Sequence, residues 1–222
     1  MVSNKKKVVI GIQSRLRSSR LPAKALLKID DCSIIGFTIK RALASNLPVY
    51  VLTSNERPDD LIEIESQKYS PDGVIRGSHE NVLERFVKLQ KETQADILVR
   101  VTADNPFTDF RLISLLLSYL SKYNLQYATV DKKFALEGTN LELFTKEILK
   151  LSYEKDNSFT NKDNVTTFMK KDDKAGNLQT LLQTKHMTKK SLLDYSVTVD
   201  TINDYIKINE LLIQTKKYIF NV

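Results

Sequence analysis

The chain has 222 residues, 41% apolar and 27% charged, and a formal net charge of +7. That length and balance are ordinary for one fairly large globular domain or two small ones, and no apolar stretch approaches the roughly 20 residues of a membrane-spanning helix. The lone Cys32 excludes an intramolecular disulfide and a multi-cysteine zinc site, which makes the cytoplasm the expected compartment.

In chain order, "KVVIGIQ" (7–13) is a short β-branched run followed by arginines rather than by a cleavage site, so it reads as a first strand and not as a signal peptide. Directly after it, "SRLRSSRLPAKALLKI" (14–29) gathers Arg15, Arg17, Arg20 and Lys24 with three serine hydroxyls. Helical spacing of apolar residues then alternates with further strands: a helix over 33–45, a strand over 48–53, a helix over 59–69 and a strand over 73–76. A helix over 80–93 carries Leu83, Phe86 and Val87 on one face, a strand spans 96–102, a helix over 110–123 carries Leu112, Ile113, Leu116, Leu117 and Leu120, and a strand spans 125–130. The stretch from about 131 to 175 is less regular and polar, and it reads as an insertion: a lid, a substrate-recognition element or a dimerisation arm. Strands over 177–183 and 195–200 and a helix over 203–217 complete the pattern. Strand-then-helix alternation predicts an α/β fold, a three-layer α/β/α sandwich with a mostly parallel twisted sheet, as a single domain over 1–222.

Such sheets bind ligands at the carboxyl ends of their strands. There the sequence places "SRLRSSRLPAK", "TSNERPDD", "RGSHEN", "TADNPF" and "VDTIND", mixing cations, hydroxyls, amides and carboxylates. The mixture suits a metal-bound polyphosphate, because cations neutralise phosphate oxygens while carboxylates hold magnesium. It suits DNA less well, since carboxylates in the same cleft repel the backbone. The basic balance, with an isoelectric point near 9.3, does not choose among acidic partners, and the scattered lysines read as a solvated face. Six glycines form neither G-x-G-x-x-G nor a P-loop, two histidines cannot make a multi-histidine metal site, and there is no G-x-S-x-G. A nucleotide-sugar glycosyltransferase of similar layout is disfavoured by the lack of D-x-D, and single-strand nucleic-acid binding by the lack of a stacking platform.

"VVIGIQSRLRSSRLPAKALLKI" resembles the opening of the cytidylyltransferases that activate acidic sugars and related surface-polysaccharide precursors, whose first strand runs into A-R-x-x-S-x-R-L-P-G-K. "VIRGSHENVLERF" (74–86), "VRVTADNPF" (99–107), "GTNLELF" (138–144) and "YSVTVDTINDY" (195–205) resemble the motifs of its spore-coat-polysaccharide branch, in the same order. The resemblance implies the Rossmann-like nucleotide-diphospho-sugar transferase fold and Mg²⁺-dependent transfer of CMP from CTP to an acidic sugar or small phosphorylated metabolite, with release of pyrophosphate. It also implies a homodimer, formed through the 131–175 stretch, and a role in surface-polysaccharide or capsule precursor synthesis.

Carried over by position, Arg15 and Lys24 are the expected catalytic cations, Ser18 and Arg20 complete the phosphate loop, and Gln13 and Ser14 join the nucleotide-binding set. Arg76, Gly77, Asn81, Val82 and Thr102 fall where the family shapes its nucleotide pocket, and Asp104 and Asp200 match its magnesium-binding aspartates. Glu142, Asn164 and Thr166 match acceptor-site positions. Against these stand plainer readings: Asp104 as part of an ordinary turn, Asp200 as a helix cap, and Arg17 and His79 as surface residues. The sequence departs from the family at Ala23 and Ala103, where glycine is usual, and at Asp163 and Asn164, where the family has Glu and His.

Overall fold

The computed structural model describes residues 6–179 and 195–220. Seven strands form one sheet in the order β5-β4-β1-β6-β8-β7-β9: β1 (Val8–Gln13), β4 (Val49–Ser54), β5 (Gly73–Gly77), β6 (Ile97–Thr102), β7 (Tyr127–Val130), β8 (Glu142–Thr145) and β9 (Ala175–Leu178). A two-stranded ribbon, β2 (Lys28–Ile29) with β3 (Cys32–Ser33), closes the loop that follows β1. Around the sheet pack α1 (Ile34–Leu43), α2 (Asp60–Gln67), α3 (Val82–Thr93), α4 (Leu112–Tyr123), α5 (Lys146–Lys155), α6 (Phe159–Asn164) and α7 (Ile202–Phe220).

The β-strand period divides the core into two. Ile10 and Ile12 of β1 face α1 and α4 through Ile35, Ile39, Leu112 and Leu116, while Val9 faces α3 and α5 through Leu83, Phe86, Ile148 and Leu149. The result is the expected three-layer α/β/α sandwich. Phe86 is fully buried, and truncating such a ring to alanine costs about 3–5 kcal/mol. Helix starts are fixed locally: Ser33, Asn81, Thr145 and Ser158 each accept a hydrogen bond from a first-turn backbone amide, leaving fewer orphan donors.

Three expectations need correction. The 131–175 stretch is not an irregular insertion, because β8 lies inside the sheet, antiparallel to both β6 and β7, and α5 and α6 follow it. The apolar run there is only four residues long and carries Glu142 in its middle, which hides the strand. Residues 195–200 do not join the sheet. They run extended, with one bridge from Glu137 to Ser196, and bury Val197 and Val199 against Ile29, Ile34 and Ile208 in a third, small cluster. The strand expected over 177–183 is β9, which starts at Ala175 and is described to Leu178; the rest of that prediction, from residue 180, lies outside the described residues.

Candidate functional site

The carboxyl ends of β1 and β6, the loop after β1 and the start of α3 enclose a polar cleft of about 370 Å³. At one end the Lys24 ammonium lies 2.6 Å from Asp104 Oδ2 and 2.8 Å from Asp200 Oδ1, and it donates to the Val199 carbonyl at 2.9 Å. Arg20 reaches the other oxygen of Asp200 at 3.0 Å. Two carboxylates from distant parts of the sequence thus converge on one cation.

Local structure explains the convergence. Asn105 folds the chain back after β6, its amide donating to the Thr102 hydroxyl at 2.8 Å, and the Asp104 carbonyl accepts from Val199 N at 2.9 Å. The cap of α7 is not Asp200. Thr201 and Asp204 form a reciprocal capping box, with Thr201 N to Asp204 Oδ2 at 2.8 Å and Asp204 N to Thr201 Oγ1 at 3.3 Å, so the Asp200 carboxylate is left for Lys24 and Arg20. Lys24 itself opens a single helical turn after Ala23, whose φ of 56° is left-handed. Glycine adopts that conformation without steric cost.

Further along the cleft, Arg15 pairs with Asp163 at 3.2 Å. Asp163 and Asn164 end α6 at a tight turn, where Val165 has φ 66° and ψ −51° and Thr166 N donates to the Asn164 carbonyl at 2.7 Å. That geometry is a rare γ-turn, strained for a β-branched residue. The backbone of the loop after β1 is anchored from below by Asp59, 2% exposed, which accepts from Leu16 N at 2.8 Å and also holds the Ser54 hydroxyl.

Of the residues singled out in the sequence, Gln13, Ser14, Arg15, Ser18, Arg20 and Lys24 line the cleft, and so do Val82, Thr102, Asp104, Asn164 and Asp200. Five lie outside it. Arg76 is tied away by Asp60 at 2.6 Å, Glu63 at 3.0 Å and the Ser54 and Glu56 carbonyls. Gly77 supports from behind: a Cβ there would meet Arg85 Cγ at 2.9 Å. Asn81 is spent as the cap of α3. Glu142 and Thr166 lie beneath the cleft: Glu142 pairs with Arg100, accepts from the Tyr127 hydroxyl at 2.6 Å and the Thr166 hydroxyl at 3.0 Å, and meets Lys170 at 2.8 Å. Burial pushes the Glu142 carboxyl up, but the Arg100 and Lys170 charges overcome it and hold it at about 2. Burial beside that carboxylate drives the Tyr127 hydroxyl well above its usual range.

Asp163, Arg85 and Arg100 also line the cleft and were not among the site residues expected from the sequence. Arg100 had a visible signal: it is a cation inside the apolar run "ILVRVT", and Glu142 is a carboxylate inside "LELF". Two opposite charges within buried strands predict a cross-strand pair, and the register places Arg100 opposite Glu142.

The cytidylyltransferase family model matches residues 8–221. The chain belongs to the cytidylyltransferase family. Among similar proteins, the uncharacterized protein MJ1063 of Methanocaldococcus jannaschii is 29% identical over 201 residues, covering 90% of this chain and 80% of that one. The spore coat polysaccharide biosynthesis protein SpsF of Bacillus subtilis is 31% identical over 116 residues, 50% of this chain and 48% of SpsF. The 3-deoxy-manno-octulosonate cytidylyltransferase of Chlorobium limicola is 33% identical over 110 residues, 49% of this chain and 44% of that enzyme. These last two matches span about half of each protein. A solved cytidylyltransferase from Leptospira borgpetersenii superposes with a TM-score of 0.82 at 27% identity, covering 92% of this chain and 85% of that one. A CMP:2-keto-3-deoxy-manno-octonic acid synthetase complexed with CTP superposes at 0.65 with 19% identity, over 94% and 99% of the two chains, a likeness of fold. Among the described residues no helix is long and apolar enough to cross a membrane.

Proposed function

We propose that the protein transfers CMP from CTP to an acceptor oxygen, releasing pyrophosphate. The observation that carries this reading is the Lys24 ammonium held between Asp104 and Asp200, with Arg20 beside them, at the carboxyl ends of a parallel sheet.

Asp104 and Asp200 fit a magnesium ion. Both offer hard carboxylate oxygens within 2.8 Å of one nitrogen, and magnesium is held by one or two carboxylates with substrate phosphates completing its shell. When bound, Mg²⁺ supplies charge neutralisation for the triphosphate. The chain's own cations do the rest. Arg15 and Lys24 exchange their carboxylate partners for phosphate oxygens and offset the charge growing on the α-phosphate and the departing pyrophosphate. The acceptor oxygen forms a bond to the α-phosphorus as the bond to pyrophosphate breaks, in line and without a covalent enzyme intermediate, a hydroxyl acceptor releasing its proton to solvent. Asn164 and Asp163 border the same cleft and belong on the acceptor side of this reading.

The acceptor is the anomeric hydroxyl of an acidic sugar or a phosphate of a small metabolite. Precursor supply for surface polysaccharide or capsule, in the cytoplasm and as a homodimer, completes the proposal. Support comes from family membership and from SpsF and the 3-deoxy-manno-octulosonate enzyme as relatives. The test incubates the protein with each nucleoside triphosphate, Mg²⁺ and a panel of acidic sugars and phosphorylated metabolites while following pyrophosphate. Release with CTP and one acceptor class is expected; no release with any pairing defeats the reading, and light scattering reads the oligomer.

A further inference from the structure

Lys24 stands apart from the other cations of the loop after β1. The side chains of Arg15, Arg17 and Arg20 are 37%, 69% and 64% exposed, whereas that of Lys24 is 12%. An ammonium has three N–H donors and no acceptor, and here each donor has a partner: Asp104 Oδ2 at 2.6 Å, Asp200 Oδ1 at 2.8 Å and the Val199 carbonyl at 2.9 Å. The cation is saturated by the protein rather than held out to solvent.

Its carboxylate partners are equally engaged. With Arg20 on Asp200 Oδ2, three of the four carboxylate oxygens have a cationic partner, and two negative charges face two positive ones. Among the described residues no third carboxylate, imidazole or thiol joins Asp104 and Asp200 to complete a metal site. A divalent ion arriving alone meets a pair already neutralised, and the oxygens it would use are those the ammonium holds. Ammonium and ion exclude each other there.

Lys24 can leave without unfolding the loop. Its backbone is fixed, with Ala23 N on the Leu16 carbonyl at 2.9 Å, Leu27 N on the Lys24 carbonyl at 3.1 Å and Ala25 buried, so only the flexible four-carbon stem has to swing. An ammonium this enclosed moves when other oxygens replace the ones it gives up. A triphosphate that carries its own divalent ion offers both exchanges at once, phosphate oxygens for Lys24 and the ion for the aspartates.

We propose that Lys24 is a resident cation that closes the Asp104–Asp200 pair to free divalent metal and yields it only to a metal–nucleotide complex. This inference concerns regulation of the same site and rests on the nucleotidyl-transfer reading above. Lys24 has two positions, one on the aspartates and one on phosphate, and the first makes metal affinity depend on nucleotide.

The test titrates Mn²⁺ alone into wild type, Lys24→Met, Lys24→Gln and Arg20→Gln, reading the electron paramagnetic resonance of the free ion, with thermal melts as a folding check. Removing the occupant should tighten Mn²⁺ binding by about tenfold or more in both Lys24 variants, and added Mn²⁺ should raise their melting temperatures more than that of wild type. The gain should vanish in the double variant Lys24→Met, Asp200→Asn, which lacks one of the two carboxylates. Arg20→Gln removes the same charge without freeing an oxygen that Lys24 holds, and it should change the affinity by less than about threefold. Folded Lys24 variants that bind Mn²⁺ no more tightly than wild type, or an Arg20→Gln gain as large as theirs, overturn the inference and make Lys24 a phosphate ligand only. Neither result touches the nucleotidyl-transfer reading, because no nucleotide is present. Equilibrium dialysis of wild type supplies the other arm: Mn²⁺ should be retained together with CTP and not without it. Equal retention of Mn²⁺ without CTP overturns the inference, whereas retention of neither when both are supplied defeats the nucleotidyl-transfer reading and this inference with it.

Discussion

Two charge clusters meet at β6 with opposite characters. At the cleft, Lys24 joins Asp104 and Asp200, whose side chains are 26% and 29% exposed. Below it, Glu142 joins Arg100, Lys170, Tyr127 and Thr166 with its side chain 12% exposed. Both contain carboxylates and cations, and the motif reading gave the first to phosphate and magnesium and placed Glu142 and Thr166 of the second at the acceptor. Solvent access separates their carboxylates, while the cations run the other way, with the Lys24 side chain 12% exposed and that of Lys170 51%. Ions that water already reaches part with a partner at a cost near 1 kcal/mol, and a ligand can supply the replacement; removing one member of a buried pair costs about 3–5 kcal/mol and leaves a stranded charge. The first cluster is therefore built to exchange partners, and the second to stay as it is.

The largest expected effect tests the exchangeable cluster. Lys24→Ala and Asp104→Asn should each lower CTP-dependent pyrophosphate release by about a thousandfold or more, while the melting temperature moves by only a few degrees. If both variants keep wild-type turnover, this cluster is no more functional than the buried one, and the comparison collapses.

The buried cluster should respond in the opposite sense, through stability. Glu142→Ala should destabilise the fold by about 3 kcal/mol, read by chemical denaturation. The pH dependence sharpens the point. Despite the opposing pull of burial, Arg100 and Lys170 lower the Glu142 carboxyl from 4.5 to about 2 on folding, so its contribution is fully present above the unfolded value and is lost as pH falls through the folded one. The unfolded chain binds the proton first, and stability declines across that window by about 3 kcal/mol. Glu142→Gln should flatten that part of the profile. An unchanged slope in Glu142→Gln between those two values would place the acid-sensitive group elsewhere.

The contrast also marks how far sequence carries. The β1 strand, its cationic loop and the helices over 33–45, 59–69, 80–93 and 110–123 were legible because each is a local pattern of period or position. Lys24, Asp104 and Asp200 were legible only as separate motif positions, since 80 and 176 residues separate Lys24 from its two partners. β8 was illegible because the charge that breaks its apolar run is neutralised by Arg100 in another strand, a fact of tertiary pairing. Residues 195–200 misled in the reverse way: Val197 and Val199 alternate like a strand, but the alternation buries them against α1 and α7. Arg85 lies inside the motif "VIRGSHENVLERF", but a charge on the buried face of α3 is visible only once the helix is packed.

The smallest expected effect lies in the loop that carries the exchangeable cluster. Ala23 holds φ 56° and ψ 19° just before Lys24, a left-handed conformation that costs an L-residue roughly 1–2 kcal/mol and glycine nearly nothing. Ala23→Gly relieves that strain but gives the unfolded chain about 0.4–1 kcal/mol more conformational freedom to lose. The two effects oppose each other, and the net gain is about 0.5 kcal/mol of stability, seen as a small upward shift in denaturation midpoint. Because the backbone already adopts the geometry, Lys24 stays between Asp104 and Asp200 and turnover should be unchanged within about twofold. A loss of stability in Ala23→Gly would mean that the methyl group packs in a way that outweighs the strain. A loss of turnover at unchanged stability would show that the alanine's stiffness is what holds Lys24 in place.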